Sequence, residues 1–502
     1  MKETFSAKVF EIEQGRNEIV LNEKTAWAMG IGIHDRVELR HGRKKTTAIV
    51  NLAHHAVHNH QLGLFEEAAQ ALGAKNGSRI HLVRVPRPES LEAIRRKLDG
   101  KVLEPSEVSG IIRDLMAERL ATPELAAFIA AVHTRGMNVE ETVALTEAIY
   151  KSGKTLRFRS KPVVSEHSIG GVAGDRTSML FVPIMASMDI TVPKTCSRAI
   201  SSAAGTADVM ELFCPVNLTA KKMKAVVEKT HGCLVWGGAV NMAAADDKLI
   251  RIRHPLRLDP HPLLLSSILA KKKAEGAHFV LLDIPIGAGA KVRDVEEARA
   301  LAKSFTSLGA QMGMKVEVTI TDGSEPLMSS IGPALEAKAV LETLEKKRVN
   351  GLTEKAVQLC GIALAMAKGV SRETGVRQAR QRLESGHALE KFREIVQAQG
   401  GDPDVSSNDV RLGDFVRMVR AGEKECVQHI DNRRVSKVAR ALGSPEDHQA
   451  GLVLHAKKGD CVQRGDDLFE LYASSKAKLS AGMRELRFHN PMDIEKIVID
   501  VV

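Results

Sequence analysis

The stretch from Lys161 to Glu211 constrains the fold most strongly, because it contains two turns rich in glycine and hydroxyl residues. Each turn follows an apolar run typical of a buried strand and precedes a segment with helical spacing. Backbone N–H groups at the start of a helix point towards a bound anion. The stretch therefore predicts an anion-binding site in an α/β domain.

The first turn lies within residues 165–178, SEHSIGGVAGDRTS. Its glycines allow a ligand to approach the backbone closely, and Ser168, Thr177 and Ser178 can donate hydroxyl hydrogen bonds to phosphate oxygens. A glycine-rich turn of this kind is also an ordinary strand–helix connection. Taken alone, it leaves both interpretations open.

The second turn lies within residues 194–208, KTCSRAISSAAGTAD, and strengthens the phosphate interpretation. Arg198 has the geometry for bidentate phosphate binding, and the surrounding hydroxyls can satisfy the remaining oxygens. The following helix is expected to have Thr206 or Asp208 as its N-cap. The turn is not a Walker A loop, because G-x-x-x-x-G-K-[ST] does not occur.

The rest of the chain indicates a multidomain α/β protein. Alternating apolar and polar residues near the start predict strands, and helix-start signals at Pro105, Thr122 and Asn138 predict three helices. Strands then alternate with helices, which indicates a mainly parallel sheet. The predicted parts are an N-terminal β-rich domain (1–86), a helical lobe (87–160), a central mainly parallel α/β domain (161–348), a helical connection (349–409) and a C-terminal α+β domain (410–502) with a biotinyl/lipoyl-like hairpin at 458–468, interpreted as structural.

Composition limits the possible partners. Aromatic residues make up only 3% of the chain, and no long run of like charge occurs, so nucleic-acid binding is not expected. The net charge of +10 is compatible with attraction of anionic substrates and equally with a generally basic surface. No apolar stretch is long enough for a membrane span, and the start lacks a secretory apolar region.

The six cysteines form no C-x-x-C pair or cluster with histidine, so neither disulfides nor a metal site is predicted. Reduced thiols in a cytoplasmic protein are the simplest interpretation. The histidines between positions 54 and 60 are interpreted as surface residues, because other plausible metal ligands are missing from their spacing.

The run from Ser197 to Asp208, S-R-A-I-x-S-x-A-G-T-A-D, resembles the signature of the thymidine/pyrimidine-nucleoside phosphorylase family. The similarity is greatest to the long form of the family, which has an extra N-terminal domain and includes archaeal AMP phosphorylases. It continues through H-S-I-G-G-V, C-L-V-W-G-G-A and later motifs, and covers essentially the whole chain. The resemblance implies a fold shared with nucleoside phosphorylases and phosphoribosyltransferases.

The resemblance also implies phosphorolysis of a nucleoside or nucleotide, with phosphate as a co-substrate and no cofactor. Asp259 is expected to protonate the leaving base, which requires a carboxyl with a raised pKa, and His167 is expected to polarise or orient the substrate. A homodimer or larger homo-oligomer is also implied. The expected substrate and phosphate contacts are Ser168, Gly171, Ser178, Ser197, Arg198, Ala199, Ile200, Ser201, Ser202, Thr206, Ser267, Lys271 and Lys291.

Two departures from the short family members bear on the substrate. Glu166 stands where they have a phosphate-binding lysine, and Ile252 stands where they have an arginine for the pyrimidine carbonyl. Both changes favour a nucleoside 5′-monophosphate over thymidine, which remains the alternative substrate. A phosphoribosyltransferase and a nucleotide-binding regulatory protein are more distant alternatives.

Overall fold

A computed structural model describes residues 3–199, 202–346 and 350–496. The described chain forms two compact units. One contains the described parts of Met1–Gly153 together with Ala243–Lys271, and the other contains those of Lys154–Met242 and Lys272–Val502. Residues 243–271 were assigned to the central α/β domain from sequence, but in the structure they pack with the N-terminal unit.

The chain begins with a closed six-stranded barrel in the order β1-β5-β2-β4-β3-β6. Side chains two positions apart on a strand point to the same side, and Ile19 and Leu21 on one strand and Val37 and Leu39 on another are fully buried. The elements are β1 (Glu3–Val9), β2 (Glu18–Asn22), α1 (Glu23–Ala28), β3 (Arg36–His41), β4 (Lys44–Ala53), β5 (Gln61–Leu64), α2 (Glu66–Leu72) and β6 (Arg79–Val85).

Four helices follow the barrel. Helices begin at Pro105 and after Asn138 as predicted, and Asn138 accepts a hydrogen bond from the Glu141 amide. The helix at Thr122 differs slightly, because Ala121 is its N-cap and Thr122 is its first helical residue. The helices are α3 (Ser90–Leu98), α4 (Pro105–Met116), α5 (Thr122–Arg135) and α6 (Val139–Lys151).

The central part of the second unit contains parallel strands, as the alternation of strands and helices predicts. β11-β10-β7 and β8-β9 are parallel sheets, and the Val164 amide joins them by donating to the Thr191 carbonyl at 2.8 Å. Its elements are β7 (Val164–Ser168), α7 (Thr177–Ala186), β8 (Val192–Cys196), α8 (Thr206–Met210), α9 (Ala220–Thr230), β9 (Gly232–Trp236), α10 (Gly237–Val240), β10 (Phe279–Ile286), α13 (Val295–Gln311), β11 (Lys315–Asp322), β12 (Ser330–Ile331) and α14 (Pro333–Leu344). Between α10 and β10 the chain forms α11 (Ala244–Arg253) and α12 (His261–Ala274), and residues 243–271 of this segment belong to the first unit.

The core of this unit lies between the parallel strands and the helices. Every residue of α7 is buried, as expected for a helix that is apolar on all sides. Phe181 on α7 packs in the same core as Cys360 and Phe392. Cys360 lies on α15 (Gly351–Lys368) and Phe392 on α17 (His387–Gln399), and α16 (Arg372–Glu384) adds Leu383 to the same core.

The C-terminal region forms two antiparallel sheets, ordered β12-β15-β17-β13 and β16-β14-β18. The hairpin predicted at 458–468 does not form, because the strands on either side of its turn pair into different sheets. The elements are β13 (Phe415–Arg420), β14 (Glu425–Ile430), α18 (Asn432–Leu442), β15 (Gly451–Leu454), β16 (Cys461–Val462), β17 (Asp467–Ala473), α19 (Lys476–Phe488) and β18 (Met492–Lys496).

The expectation that all cysteines are reduced is wrong for one pair. Cys426 on β14 lies opposite Cys461 on β16, and the two side chains form a disulfide. The strand register brings together cysteines that are 35 positions apart, which sequence spacing alone does not reveal. The other four cysteines, Cys196, Cys214, Cys233 and Cys360, are free and buried.

Candidate active site

The first glycine-rich turn follows β7 and brings two predicted substrate contacts together. Gly171 has a φ of 102°, and a Cβ atom placed there would lie 2.7 Å from the Lys291 backbone nitrogen. Only glycine therefore permits this close approach of the two chain segments. Ser168 ends β7, and its hydroxyl accepts a hydrogen bond from the Gly170 amide at 3.3 Å.

The second turn follows β8, at the same edge of the parallel strands as the first. The N-cap of helix α8, which follows the turn, is Gly205, so the prediction of Thr206 or Asp208 as the N-cap is wrong. The Asp208 carboxylate accepts from the Gly205 amide at 2.9 Å and from the Ala199 amide at 2.8 Å. The Ser197 carbonyl accepts from the Ala207 amide at 3.2 Å. These bonds connect Ser197 and Ala199 to the start of helix α8.

The Arg198 side chain, predicted to bind phosphate, has protein partners. Its two terminal nitrogens donate to the Glu211 carboxylate at 2.6 and 2.8 Å, and one of them also donates to Asp208 at 3.0 Å. The guanidinium lies 5.2 Å from the centre of the Trp236 ring. The bidentate partner in this structure is thus a carboxylate of the protein, and phosphate binding by Arg198 stays a prediction.

The hydroxyls of the second turn also have defined neighbours. Ser202 donates to the Ala204 carbonyl at 3.0 Å, and the Thr206 hydroxyl accepts from Arg176 at 3.1 Å. An accepting hydroxyl keeps its own proton available for a ligand, so Thr206 is suited to donate to a phosphate oxygen. The remaining predicted contacts in this turn, Ile200 and Ser201, lie outside the described residues.

Arg176 connects the two turns and was not singled out from sequence. It is 7% exposed; its Nε contacts Glu336, its Nη1 donates to Thr206, and its Nη2 donates to the Ala204 carbonyl at 2.7 Å. Five donors in a planar fork allow one side chain to make all these contacts. Most arginines lie on the surface, so the sequence alone does not distinguish a buried arginine such as this one. Its position between a glycine-rich turn and an apolar helix could have indicated that it is buried.

Glu166, which replaces the expected lysine, points into the protein rather than towards a ligand. It is 1% exposed, accepts from Lys194 at 2.9 Å and accepts from the Ser178 hydroxyl at 2.6 Å. Burial, the largest influence, opposes the charged amine, but the Glu166 carboxylate outweighs it and raises the pKa of Lys194. The predicted phosphate contact Ser178 therefore has its proton directed to Glu166, and its role at phosphate stays a prediction.

His167 is half-buried on β7, opposite Leu282 of β10. This position, one residue before the first turn, is compatible with orienting a substrate, and that role stays a prediction.

The first unit contains the other predicted residues, Asp259, Ser267 and Lys271. The buried Asp246 carboxylate accepts from the Ser267 hydroxyl at 2.7 Å and lies 2.5 Å from the Lys271 ammonium. Burial, again the largest influence, disfavours the charged amine, but Asp246 and Asp247 raise the pKa of Lys271. The Asp259 side chain is 43% exposed, and its carboxylate contacts Arg253.

Three profiles of known protein families match parts of the chain. The profile described as "Glycosyl transferase family, a/b domain" matches residues 160–389, and the helical bundle domain of that family matches 91–153. The pyrimidine nucleoside phosphorylase C-terminal domain matches 426–492. The fold and these matches define the protein as an enzyme of the glycosyl transferase family that transfers a pentosyl group.

Full-length relatives define the family more narrowly. An AMP phosphorylase from Pyrococcus furiosus is 41% identical over 496 residues, which cover 99% of this chain and 98% of the relative. One from Thermofilum pendens is 42% identical over 485 residues, covering 97% and 94%. The chain belongs to the long form of the thymidine/pyrimidine-nucleoside phosphorylase family.

A solved structure confirms the fold alone. Anthranilate phosphoribosyltransferase from Thermus thermophilus superposes with a TM-score of 0.52 at 20% sequence identity, covering 61% of this chain and 99% of that one. The resemblance to phosphoribosyltransferase folds is therefore confirmed.

Proposed function

We propose that the protein catalyses phosphorolysis of the N-glycosidic bond of a nucleoside 5′-monophosphate, releasing free base and a pentose 1,5-bisphosphate. The observation that carries this proposal is the similarity, over nearly the whole length of both chains, to relatives named AMP phosphorylase. No cofactor is proposed, because inorganic phosphate is itself the nucleophile.

The reaction forms a bond between a phosphate oxygen and the anomeric carbon while the bond from that carbon to the base nitrogen breaks. The electron pair of the broken bond leaves with the base, and the Asp259 carboxyl supplies its proton. The turns at Gly171 and at Ser197–Thr206 would hold the anionic groups, because glycine lets them approach backbone N–H groups and Thr206 can donate its hydroxyl. Ser267 and Lys271 would contact the base.

Two observations support a monophosphate over thymidine. The negative charge of Glu166 is balanced by Lys194 inside the protein, so this residue neither provides a phosphate-binding cation nor repels a bound anion at close range. Ile252 packs against the apolar helical core of the first unit, so it cannot replace the arginine that recognises a pyrimidine carbonyl. Thymidine phosphorylase remains the second candidate because the family contains both activities.

The phosphoribosyltransferase alternative is less well supported. Such an enzyme needs acidic residues for a metal–pyrophosphate site, and Asp175 and Asp283 are close enough to form a pair. The Lys355 ammonium lies 2.9 Å from Asp175 and 2.7 Å from Asp283, however, so this pair already has a cationic partner. These carboxylates raise the pKa of Lys355 despite the larger opposing effect of burial.

The decisive experiment compares phosphate-dependent base release from AMP, CMP, UMP, thymidine and uridine, with reactions lacking phosphate as controls. We expect a monophosphate to be cleaved fastest and the sugar product to carry two phosphates. Much faster cleavage of thymidine would replace the proposal with thymidine phosphorylase. AMP binding without any turnover would favour a regulatory nucleotide-binding protein.

The enzyme is also proposed to act in the cytoplasm as a homodimer or larger homo-oligomer, without nucleic-acid or membrane partners, and its C-terminal domain is proposed to be structural. Among the described residues, no helix combines the length and apolar character that crossing a bilayer requires.

A further inference from the structure

Asp246 is the buried carboxylate that joins the two residues of α12, Ser267 and Lys271, proposed above to contact the base. It is 2% exposed and lies in the first turn of α11. The same oxygen, Oδ2, accepts from the Ser267 hydroxyl at 2.7 Å and contacts the Lys271 ammonium at 2.5 Å. Ser267 and Lys271 stand one helical turn apart, so a single carboxylate can hold both.

These contacts determine which hydrogen bonds remain for a ligand. A serine hydroxyl has one proton, and the Ser267 proton is directed to Asp246, so only its lone pairs remain available. Lys271 has three N–H donors and no acceptor, and its side chain is 28% exposed. The pair therefore presents an acceptor at Ser267 and a donor at Lys271.

We propose that Asp246 is a positioning residue that determines base specificity. It makes Ser267 a hydrogen-bond acceptor and Lys271 a hydrogen-bond donor, so the enzyme selects bases that present a donor and an acceptor in the matching order. This inference rests on the proposed function, because it assigns the base-recognition step of that reaction. A 6-amino purine and a 6-oxo purine present donor and acceptor in opposite order at neighbouring positions. Asp246 consequently favours one of the two over the other.

The Asp246→Asn variant tests the direction of the Ser267 hydrogen bond. Asparagine has nearly the same shape, but its NH2 group can donate to Ser267 and release the serine proton. We expect the ratio of kcat/KM for AMP to that for IMP to move towards one by about tenfold, since a mismatched buried hydrogen bond costs roughly that factor. The KM for phosphate should stay within about twofold, because the turns of the second unit are unchanged.

A pH profile provides a readout that a purely structural role would not move. Asp246 raises the pKa of Lys271, so its removal lets Lys271 lose its proton at a lower pH. The alkaline limb of kcat/KM should therefore shift to lower pH in Asp246→Asn. Asp247→Asn is the matched control: Asp247 is the neighbouring carboxylate, 3.9 Å from Lys271, and should leave the AMP/IMP ratio within about twofold of wild type.

Ser267→Ala keeps Asp246 and its contact with Lys271, and provides a second test if Asp246→Asn folds poorly. It should reduce the AMP/IMP discrimination to the same extent. A wild-type ratio near one, or an unchanged ratio in both variants, would overturn the role of Asp246 while leaving phosphorolysis intact. Wild-type protein that releases base from no monophosphate and no nucleoside would instead overturn the proposed function.

Discussion

Asp259 is the residue on which the proposed chemistry depends most directly. Its side chain is 43% exposed and contacts Arg253, so the carboxylate is accessible, but this ion pair must be broken before Asp259 can donate a proton to the base. Asp259→Asn keeps the shape but removes the transferable proton. We expect kcat to fall by roughly 10²- to 10⁴-fold with little change in AMP affinity, measured by base release and calorimetry. The control is Asp404→Asn, which alters an exposed carboxylate on another part of the chain. A fully active Asp259→Asn enzyme would show that Asp259 is not the proton donor.

Arg176 is the residue whose loss should affect both turns. Arg176→Met removes the contacts with Thr206 and Ala204 and leaves the buried Glu336 carboxylate without this partner. Breaking a buried ion pair by removing one partner costs about 3–5 kcal/mol, and we expect a rise in the KM for phosphate as well. Denaturant unfolding and phosphate kinetics measure the two effects.

Arg380→Met is the matched control for Arg176→Met. Arg380 pairs with Glu354 on the surface, where both side chains are at least one-third exposed, so its loss should cost about 0.2–1 kcal/mol. Equal destabilisation by the two substitutions would contradict the connecting role of Arg176.

Single residues also show how far sequence reasoning extends. The sequence predicted a close approach to the glycines of the first turn, but not that the neighbour at Gly171 is the backbone of Lys291. The pairing of Glu166 with Lys194 could not be predicted from the sequence. These residues lie on different strands, and the sequence does not specify which side chains of neighbouring strands meet. Glu166 was therefore interpreted only as a missing cation.

At the scale of elements, local sequence signals predicted that strands exist more reliably than they predicted which strands pair with each other. The sequence predicted alternating strands and helices in the central domain, and β10 (Phe279–Ile286) and β11 (Lys315–Asp322) are two of the strands that form there. The glycine–aspartate turn near residue 465 was also visible, but its flanking strands pair with different partners. Pairing depends on contacts between distant parts of the chain, which a local motif does not encode.

The disulfide between β14 and β16 should stabilise the C-terminal sheets. It closes a loop of 35 residues, for which the chain-entropy model gives about 4 kcal/mol. We expect Cys461→Ser to lower the thermal midpoint, and a reductant to do the same to the wild type but not to the variant. Activity well below the midpoint should stay within about twofold. An identical midpoint in all four samples would show that the disulfide does not contribute.

At the scale of the whole molecule, the division into units differs from simple order along the chain. Ala245, Leu249 and Leu263 share an apolar core with the helices near the N-terminus, although they follow the first strands of the parallel sheets in sequence. Their apolar faces could pack against either neighbour, so periodicity alone left them in the central domain. The family resemblance predicted the multidomain α/β fold because it covers the whole chain.

The net charge of +10 is a property of the whole chain and has a measurable consequence. If the positive charge attracts the anionic substrate, AMP binding should weaken as salt screens the field, whereas adenosine binding should change little. We expect the AMP association constant to fall several-fold between about 20 and 200 mM salt, and that of adenosine to change less than about twofold, when both are measured by calorimetry at constant pH. Parallel salt dependence for the two ligands would show that the charge merely makes the surface basic. A steeper dependence for AMP would indicate that the protein's field contributes to selection of the 5′-monophosphate.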